Sequence, residues 1–228
     1  MKTKFGSIVI DGRGKIGGHV ASKNRSGNYL RTKVTPVNPR TTFQQNVRNT
    51  FGSLSQAWRG LTEDQRASWN NAVAAYAKTD IFGDLRNPSG ISLFQKLNNV
   101  IINIDQVMLR TAPAPEAVKF LQLNDAVVTA GIDTCSISIN PVMILGDVVI
   151  VKATPPLSAG KSFVKNAFRQ ISVLLDVNAN PIDVSAAYIA KFGTGAVEGQ
   201  KIVFQIVSVN INTGQVSVPS EFAAIVGA

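Results

Sequence analysis

The spacing of the apolar residues changes once along this chain, and the change limits the fold to a helical part followed by a β-sheet part. Between residues 41 and 101, apolar side chains recur every three or four residues, as on one face of an α-helix. After residue 117 they alternate with polar residues, as in half-buried strands. The two patterns are separated by Thr111-Ala-Pro-Ala-Pro-Glu116, which predicts a stiff, proline-rich linker over residues 111–117. We therefore expect an α+β protein.

Residues 41–110 are predicted to form a small helical hairpin domain. The apolar stripe of the first helix consists of Phe43, Val47, Phe51, Leu54 and Trp58. A second helix should begin near Thr62, because Gln65 follows three residues later and completes a capping box. We expect Trp58 and Trp69 to be buried against each other, in one cluster with Phe51 and Val73. A third helix is predicted to follow Ser89.

Residues 118–228 are predicted to form an antiparallel, immunoglobulin-like β-sandwich. Short alternating segments near residues 135–139, 149–153, 171–175 and 202–206 are separated by Gly, Pro, Asn and Ser clusters, as in such sandwiches. A closing hairpin is expected over residues 207–220, with its turn at Asn212-Thr213-Gly214. Cys135 is the only cysteine and lies in an apolar alternation, which favours a core position over a reactive thiol.

The net positive charge of the protein lies in its first 50 residues. The formal net charge is +9, and residues 1–50 carry ten basic residues and one acid, Asp11, so the remainder is neutral. Glycines and prolines in residues 1–40 disfavour a helix and predict an extended arm with short strands at 5–10, 15–21 and 29–34. A basic arm of this kind binds acidic or phosphate surfaces. The predicted partner-binding residues of this arm are Lys2, Lys4, Arg13, Lys15, Lys23, Arg25, Arg31, Lys33 and Arg40.

No residue pattern predicts catalysis, and we expect no enzymatic activity. The glycine spacing of Gly12-Arg13-Gly14-Lys15-Ile16-Gly17 matches dinucleotide-binding loops, but no amphipathic helix and no acid about 20 residues on follow it. His19 is the only histidine, which excludes histidine-based metal clusters and triads. We therefore predict no catalytic residue, no cofactor, no metal and no small-molecule substrate. No apolar run reaches the roughly 18–20 residues of a membrane span, and no secretory signal is present, so a soluble protein is expected.

Three motifs of the helical region form a pattern, together with Gly14-Lys15-Ile16-Gly17 and Arg31-x-x-x-x-Pro36-x-Asn38-Pro39 before it. They are Thr41-Thr42-Phe43-Gln44-Gln45-x-x-Arg48, Ala57-Trp58-Arg59-x-Leu61-Thr62-x-x-Gln65-Arg66-x-x-Trp69 and Ser89-Gly90-x-x-Leu93-Phe94-x-x-Leu97-Asn98. Over about residues 12–100 the chain resembles an uncharacterised family of tailed-bacteriophage proteins, including those of crAss-like gut phages. The C-terminal part resembles immunoglobulin or fibronectin-III domains, but it has no tryptophan and no disulfide pair.

The family resemblance implies a virion-associated structural protein with no catalytic residues to carry over. It implies a capsid-decorating or neck/tail ring component, made in the bacterial host cytoplasm and located in the virion. The expected partners are other virion structural proteins (capsid, portal or tail) and copies of the chain itself, with no membrane involved. Two alternatives stay open: a nucleic-acid-binding protein that uses the basic arm, and an adhesin that uses the sandwich loops.

Overall fold

The computed structural model describes residues 1–4, 6, 12–141, 148–175 and 179–227. The described residues contain both α-helices and antiparallel sheets, which confirms the α+β class. The helices are α1 (Thr42–Arg59), α2 (Glu63–Ala72), α3 (Gly90–Asn103) and α4 (Ser185–Phe192). The strands are β1 (Gly14–Ile16), β2 (His19–Asn24), β3 (Gly27–Thr32), β4 (Lys78–Thr79), β5 (Leu85–Arg86), β6 (Gln122–Val128), β7 (Cys135–Asn140), β8 (Val148–Ala153), β9 (Arg169–Leu175), β10 (Ile182–Asp183), β11 (Lys201–Val209) and β12 (Ser220–Ile225). Single 3₁₀ turns occupy Val73–Tyr76 and Ala130–Ile132.

The first three strands form a small antiparallel sheet in the order β1-β2-β3. The expected single strand over residues 15–21 is wrong, because Gly17 adopts a φ of +56° and reverses the chain between β1 and β2. Ile16 therefore pairs with His19 across a two-residue turn. Most of the strand predicted at residues 5–10 lies outside the described residues.

Side-chain caps begin the first three helices where the sequence supplies a hydroxyl. Thr41, Thr62 and Ser89 accept hydrogen bonds from the backbone N–H groups three residues on. The capping box predicted between Thr62 and Gln65 is confirmed.

The helical core differs from the one expected. Trp69 is fully buried, but Trp58 is only half-buried. Both rings contact Phe94 of α3, Trp69 at a centroid distance of 5.3 Å and Trp58 at 5.4 Å. Both belong to one cluster with Val73, as predicted. The prediction that Phe51 joins this cluster is wrong, because its side chain is 59% exposed.

The end of the segment after α3 and the start of the proline-rich linker lie against the helices. Trp69 Nε1 donates to the carbonyl of Arg110 (2.9 Å), and Tyr76 Oη donates to that of Pro113 (3.1 Å). The buried side chain of Asn98 binds both the N–H and the carbonyl of Leu109. These bonds satisfy backbone groups of a segment without regular structure and tie it to the helical core.

Strands β4 and β5 pair antiparallel as a separate small hairpin, and the seven strands from β6 to β12 form two sheets around one apolar core. Their orders are β10-β7-β6 and β12-β11-β8-β9, and every pairing within them is antiparallel. The predicted strands near 135, 149, 171 and 202 are confirmed as β7, β8, β9 and β11. The predicted turn at residues 212–214 is present, with the N–H of Gly214 donating to the carbonyl of Asn210. Helix α4 was not predicted, and its Tyr188 is buried in the core of the two sheets.

Candidate interaction surface

The nine predicted partner-binding residues lie at the surface. Eight are exposed, and Lys2 is half-buried. Between residues 12 and 53, all of which are described, Ala21 is the only buried side chain. Three strands and most of a helix therefore have almost no core of their own.

Lys2 and Lys4 are held by carboxylates of the chain itself. Lys2 Nζ lies 3.5 Å from Asp80 Oδ2, and Lys4 Nζ lies 2.9 Å from Asp84 Oδ2. Arg86 contacts both of these carboxylates. These two lysines thus anchor the start of the chain to the β4–β5 hairpin, a role that the sequence did not indicate.

The other cations of the sheet divide between its two faces. The strand register aligns Lys15 with Val20 and Val20 with Arg31, so Lys15 and Arg31 share one face. Lys23 lies three positions after Val20 on β2 and therefore points to the opposite face. The structure brings Lys15 and Arg31 together, but it does not gather all of the predicted residues into one patch.

An exposed apolar face on α1 is the feature that sequence reasoning missed. Phe43, Val47 and Phe51 are 64%, 61% and 59% exposed, whereas Leu54 of the same stripe is buried. Helix α1 has 18 residues and its hairpin partner α2 has 10, so α2 is too short to cover the whole stripe. The start signal at Thr62 indicated where α2 begins but not where it ends, so the sequence did not indicate this exposure.

Two clefts open beside this exposed face of α1. One, of about 530 Å³, lies between α1 and α3 and reaches Ile150 of β8. The other, of about 880 Å³, lies between the start of α1 and strands β8, β9, β11 and β12. Phe43 and Gln170 line both clefts, so the two adjoin at these side chains. We call the combined cleft the α1 groove.

Basic side chains surround the second part of the α1 groove. Lys152, Lys165 and Arg169 line it, and Lys191 of α4 places its Nζ 5.1 Å from the centroid of the Phe43 ring. The carboxylates lining the α1 groove are Glu221, which accepts a hydrogen bond from Gln205, and Asp105 at the far end. Within the described part of the chain, none of these four cations forms a salt bridge.

The chain matches no protein-family model, no curated protein and no solved structure. Among the described residues, no group of three or more His, Cys, Asp or Glu side chains is placed to hold a metal ion. No helix in the same residues is long and apolar enough to cross a membrane.

The buried thiol of Cys135 is unsuited to nucleophilic chemistry in this setting. Burial, together with the charge of Asp183, raises the pKa of Cys135 to about 12. Because of this raised pKa, the thiol stays protonated at neutral pH. The thiolate is the reactive form, so little of that form is present. The core position of Cys135 agrees with the interpretation of the alternation at residues 135–139.

Proposed function

We propose that this chain is a non-enzymatic structural protein of a tailed-bacteriophage virion, a capsid-decorating or neck/tail ring component. It binds other virion proteins through its N-terminal arm and the exposed face of α1. The observation that carries the proposal is the near-absence of buried side chains between residues 12 and 53. A segment with so few internal contacts gains its stability from a neighbouring chain.

The exposed face of α1 supports a protein partner. Burying one large apolar side chain contributes about 1.5–3 kcal/mol, and three such side chains stand here at helical spacing. Helices that bind in grooves use residues at this spacing as anchors. An apolar helix face beside basic residues is thus suited to a folded protein surface.

The arrangement of the two large sheets supports an immunoglobulin-like or fibronectin-III-like sandwich for the C-terminal part. Seven antiparallel strands, β6 to β12, form sheets of three and four strands around one core. Such domains serve in many particles as contact modules, which is an analogy at the level of the fold.

Particle composition tests this function. In the phage that encodes the chain, deletion of residues 1–35 should leave a folded protein, because the buried residues of the helical core begin at Leu54. The deletion should also abolish incorporation into particles, as measured by mass spectrometry of purified virions. The matched variant replaces six exposed cations by Gln: Arg13, Lys15, Lys23, Arg25, Arg31 and Lys33.

The six-residue variant separates charge from backbone pairing. Its incorporation should fall in a salt-sensitive way but less than after the deletion, because backbone pairing of the arm strands would remain. Incorporation of the truncated chain at wild-type copy number would show that the arm is not the assembly element. Absence of the full-length chain from particles would overturn the proposed function.

A nucleic-acid-binding role is the alternative, and the shared face of Lys15 and Arg31 favours it. Tyr29 stands two positions before Arg31 on β3 and therefore on the same face, where it could stack on a base. Binding of a duplex or single-stranded DNA by this face should weaken by orders of magnitude as salt rises, because phosphate contacts release counterions. A fluorescence-anisotropy titration at two salt concentrations, with Lys15→Gln/Arg31→Gln as the matched variant, distinguishes the two roles.

A further inference from the structure

The α1 groove has an apolar wall that the chain itself leaves uncovered. Phe43 and Val47 of α1 face Val100 of α3 and Ile150 of β8 across it. The first half of α1 contains Thr42, Asn46, Asn49 and Thr50, which are weak helix formers. Because neither strong propensity nor packing stabilises this half, an occupant of the α1 groove would stabilise it.

The charge of the α1 groove selects the kind of occupant. Lys152, Lys165, Arg169 and Lys191 stand against Glu221 and Asp105, so cations prevail. Residues 1–50, which include the first turns of α1, carry all of the chain's net charge. Complementary potential therefore favours an acidic partner and disfavours a basic one.

We propose that the α1 groove binds an acidic segment of another protein, one that carries aromatic or aliphatic side chains between its acidic residues. The apolar side chains contact Phe43, Val47 and Ile150. The carboxylates approach Lys152, Lys165 and Arg169 at the other end. This inference rests on the proposed function only in expecting a protein partner.

A second copy of the chain is the less favourable occupant. Two copies joined at this surface would bring the groove cations of both copies together, and like charges at an interface oppose association. An acidic segment instead neutralises the cations of the α1 groove while it covers the apolar wall.

Selection from a library of random displayed peptides tests the chemistry of the occupant. The full chain serves as the target, and the Phe43→Ala/Val47→Ala variant removes peptides that bind elsewhere. Both residues are exposed, so the variant should keep the thermal unfolding transition of the wild type, as checked by circular dichroism. The peptides specific for the wild type should be enriched in Asp, Glu, aromatic and aliphatic residues and depleted of Lys and Arg.

Matched variants then locate the binding of one synthesised acidic peptide from that selection. Its affinity, measured by fluorescence anisotropy, should fall at least about tenfold in Phe43→Ala/Val47→Ala, since truncated anchors cost about 1 kcal/mol or more each. The affinity should stay unchanged in Phe163→Ala/Val197→Ala, whose side chains are 63% and 61% exposed elsewhere. Lys165→Glu should weaken binding severalfold, and Lys161→Glu, in the same loop but outside the α1 groove, should not.

Several results would overturn the proposal. They are the absence of any peptide specific for the wild type, selected peptides without acidic enrichment, and equal binding by the Phe43→Ala/Val47→Ala variant. Self-association of the wild type that this variant abolishes, seen by sedimentation velocity, would assign the α1 groove to a second copy instead.

The virion role and the groove inference are tested by separate experiments. If the chain is absent from phage particles but the peptide results hold, the virion role fails and the groove inference stands. If the chain is present in particles but the peptide results fail, the groove inference fails and the virion role stands.

Discussion

Asp80 joins two distant parts of the chain through a single carboxylate. Its Oδ1 accepts hydrogen bonds from the N–H groups of Phe82 (2.8 Å) and Asp84 (3.1 Å), which shape the β4–β5 turn. Its Oδ2 accepts from Arg86 Nε (3.3 Å) and Lys2 Nζ (3.5 Å). One side chain thus orders a turn and anchors a lysine that lies 78 residues earlier in the chain.

The pKa of Asp80 makes this anchor sensitive to acid. Desolvation acts to raise the pKa of this carboxyl, but hydrogen bonds from Phe82, Asp84 and Arg86 and the charge of Lys2 together lower it to about 2, from an ordinary value of 3.8. A lowered pKa stabilises the folded state above the ordinary value, and that stabilisation is lost as the pH falls from about 4 to about 2. We expect the β4–β5 amides to lose hydrogen-exchange protection over this range.

Carboxyl NMR titration and one variant check this expectation. The Asp80 carbon should titrate with a pKa near 2. In Asp80→Asn the protection of β4–β5 should be lower at neutral pH and should not change between pH values of about 4 and 2. A titration at the ordinary value of 3.8, or the same pH dependence in Asp80→Asn, would contradict the role of this carboxylate.

Helix α1 has two halves with different surroundings. Its second half contributes Leu54, Ala57 and Trp58 to the helical core, whereas its first half is exposed. Helix α3 differs, because Leu93, Phe94, Leu97 and Ile101 are buried along its length. The sequence pattern is similar in both helices, so the pattern alone does not distinguish a covered stripe from an open one.

Hydrogen exchange should resolve the two halves of α1. Beyond the first turn, the amides of residues 46–50 should exchange at least about tenfold faster than those of residues 54–58. A tenfold ratio corresponds to about 1.4 kcal/mol, which is less than one buried large apolar side chain contributes. The corresponding halves of α3 should differ less. Uniform protection along α1 would show that its first half is stabilised by contacts other than those described above.

The helical and β-sheet parts are packed against each other. Ile104 at the end of α3 contacts Val148, Ile150 and Val209 in a small apolar cluster. Gly214, in the turn that follows β11, lies so close to α3 that a β-carbon there would be 2.6 Å from the carbonyl oxygen of Leu97. The turn can approach the helix this closely because residue 214 is a glycine.

Two glycine variants separate backbone strain from this close approach. Gly131 and Gly214 have φ values of +71° and +69°, but a β-carbon on Gly131 would meet nothing within 4 Å. Gly131→Ala should therefore cost only the strain of a left-handed residue, about 1–2 kcal/mol. Gly214→Ala should cost about 1–3 kcal/mol more, because overpacking displaces α3. Thermal or urea unfolding measures the difference, and equal losses would argue against a tight contact between the turn and α3.

Sequence patterns predicted only some of the regular elements of the described residues. Cap residues and apolar spacing indicated α2, α3 and four strands, because these signals act between neighbours in the chain. Helix α4 was missed because it has only eight residues, and strand β12 because its apolar residues are consecutive instead of alternating. The closing strand was expected before residue 220, whereas β12 pairs with the first part of β11.

The candidate interaction surface depends more on long-range contacts than the helices and strands do. The sequence indicated that the net charge lies in residues 1–50 and that residues 41–59 form an amphipathic helix, since both follow from composition and local spacing. It did not indicate that Lys2 and Lys4 bind Asp80 and Asp84, or that α2 leaves the first half of α1 exposed. Those features depend on contacts between segments that lie dozens of residues apart in the chain. Local periodicity and local propensity do not indicate such contacts.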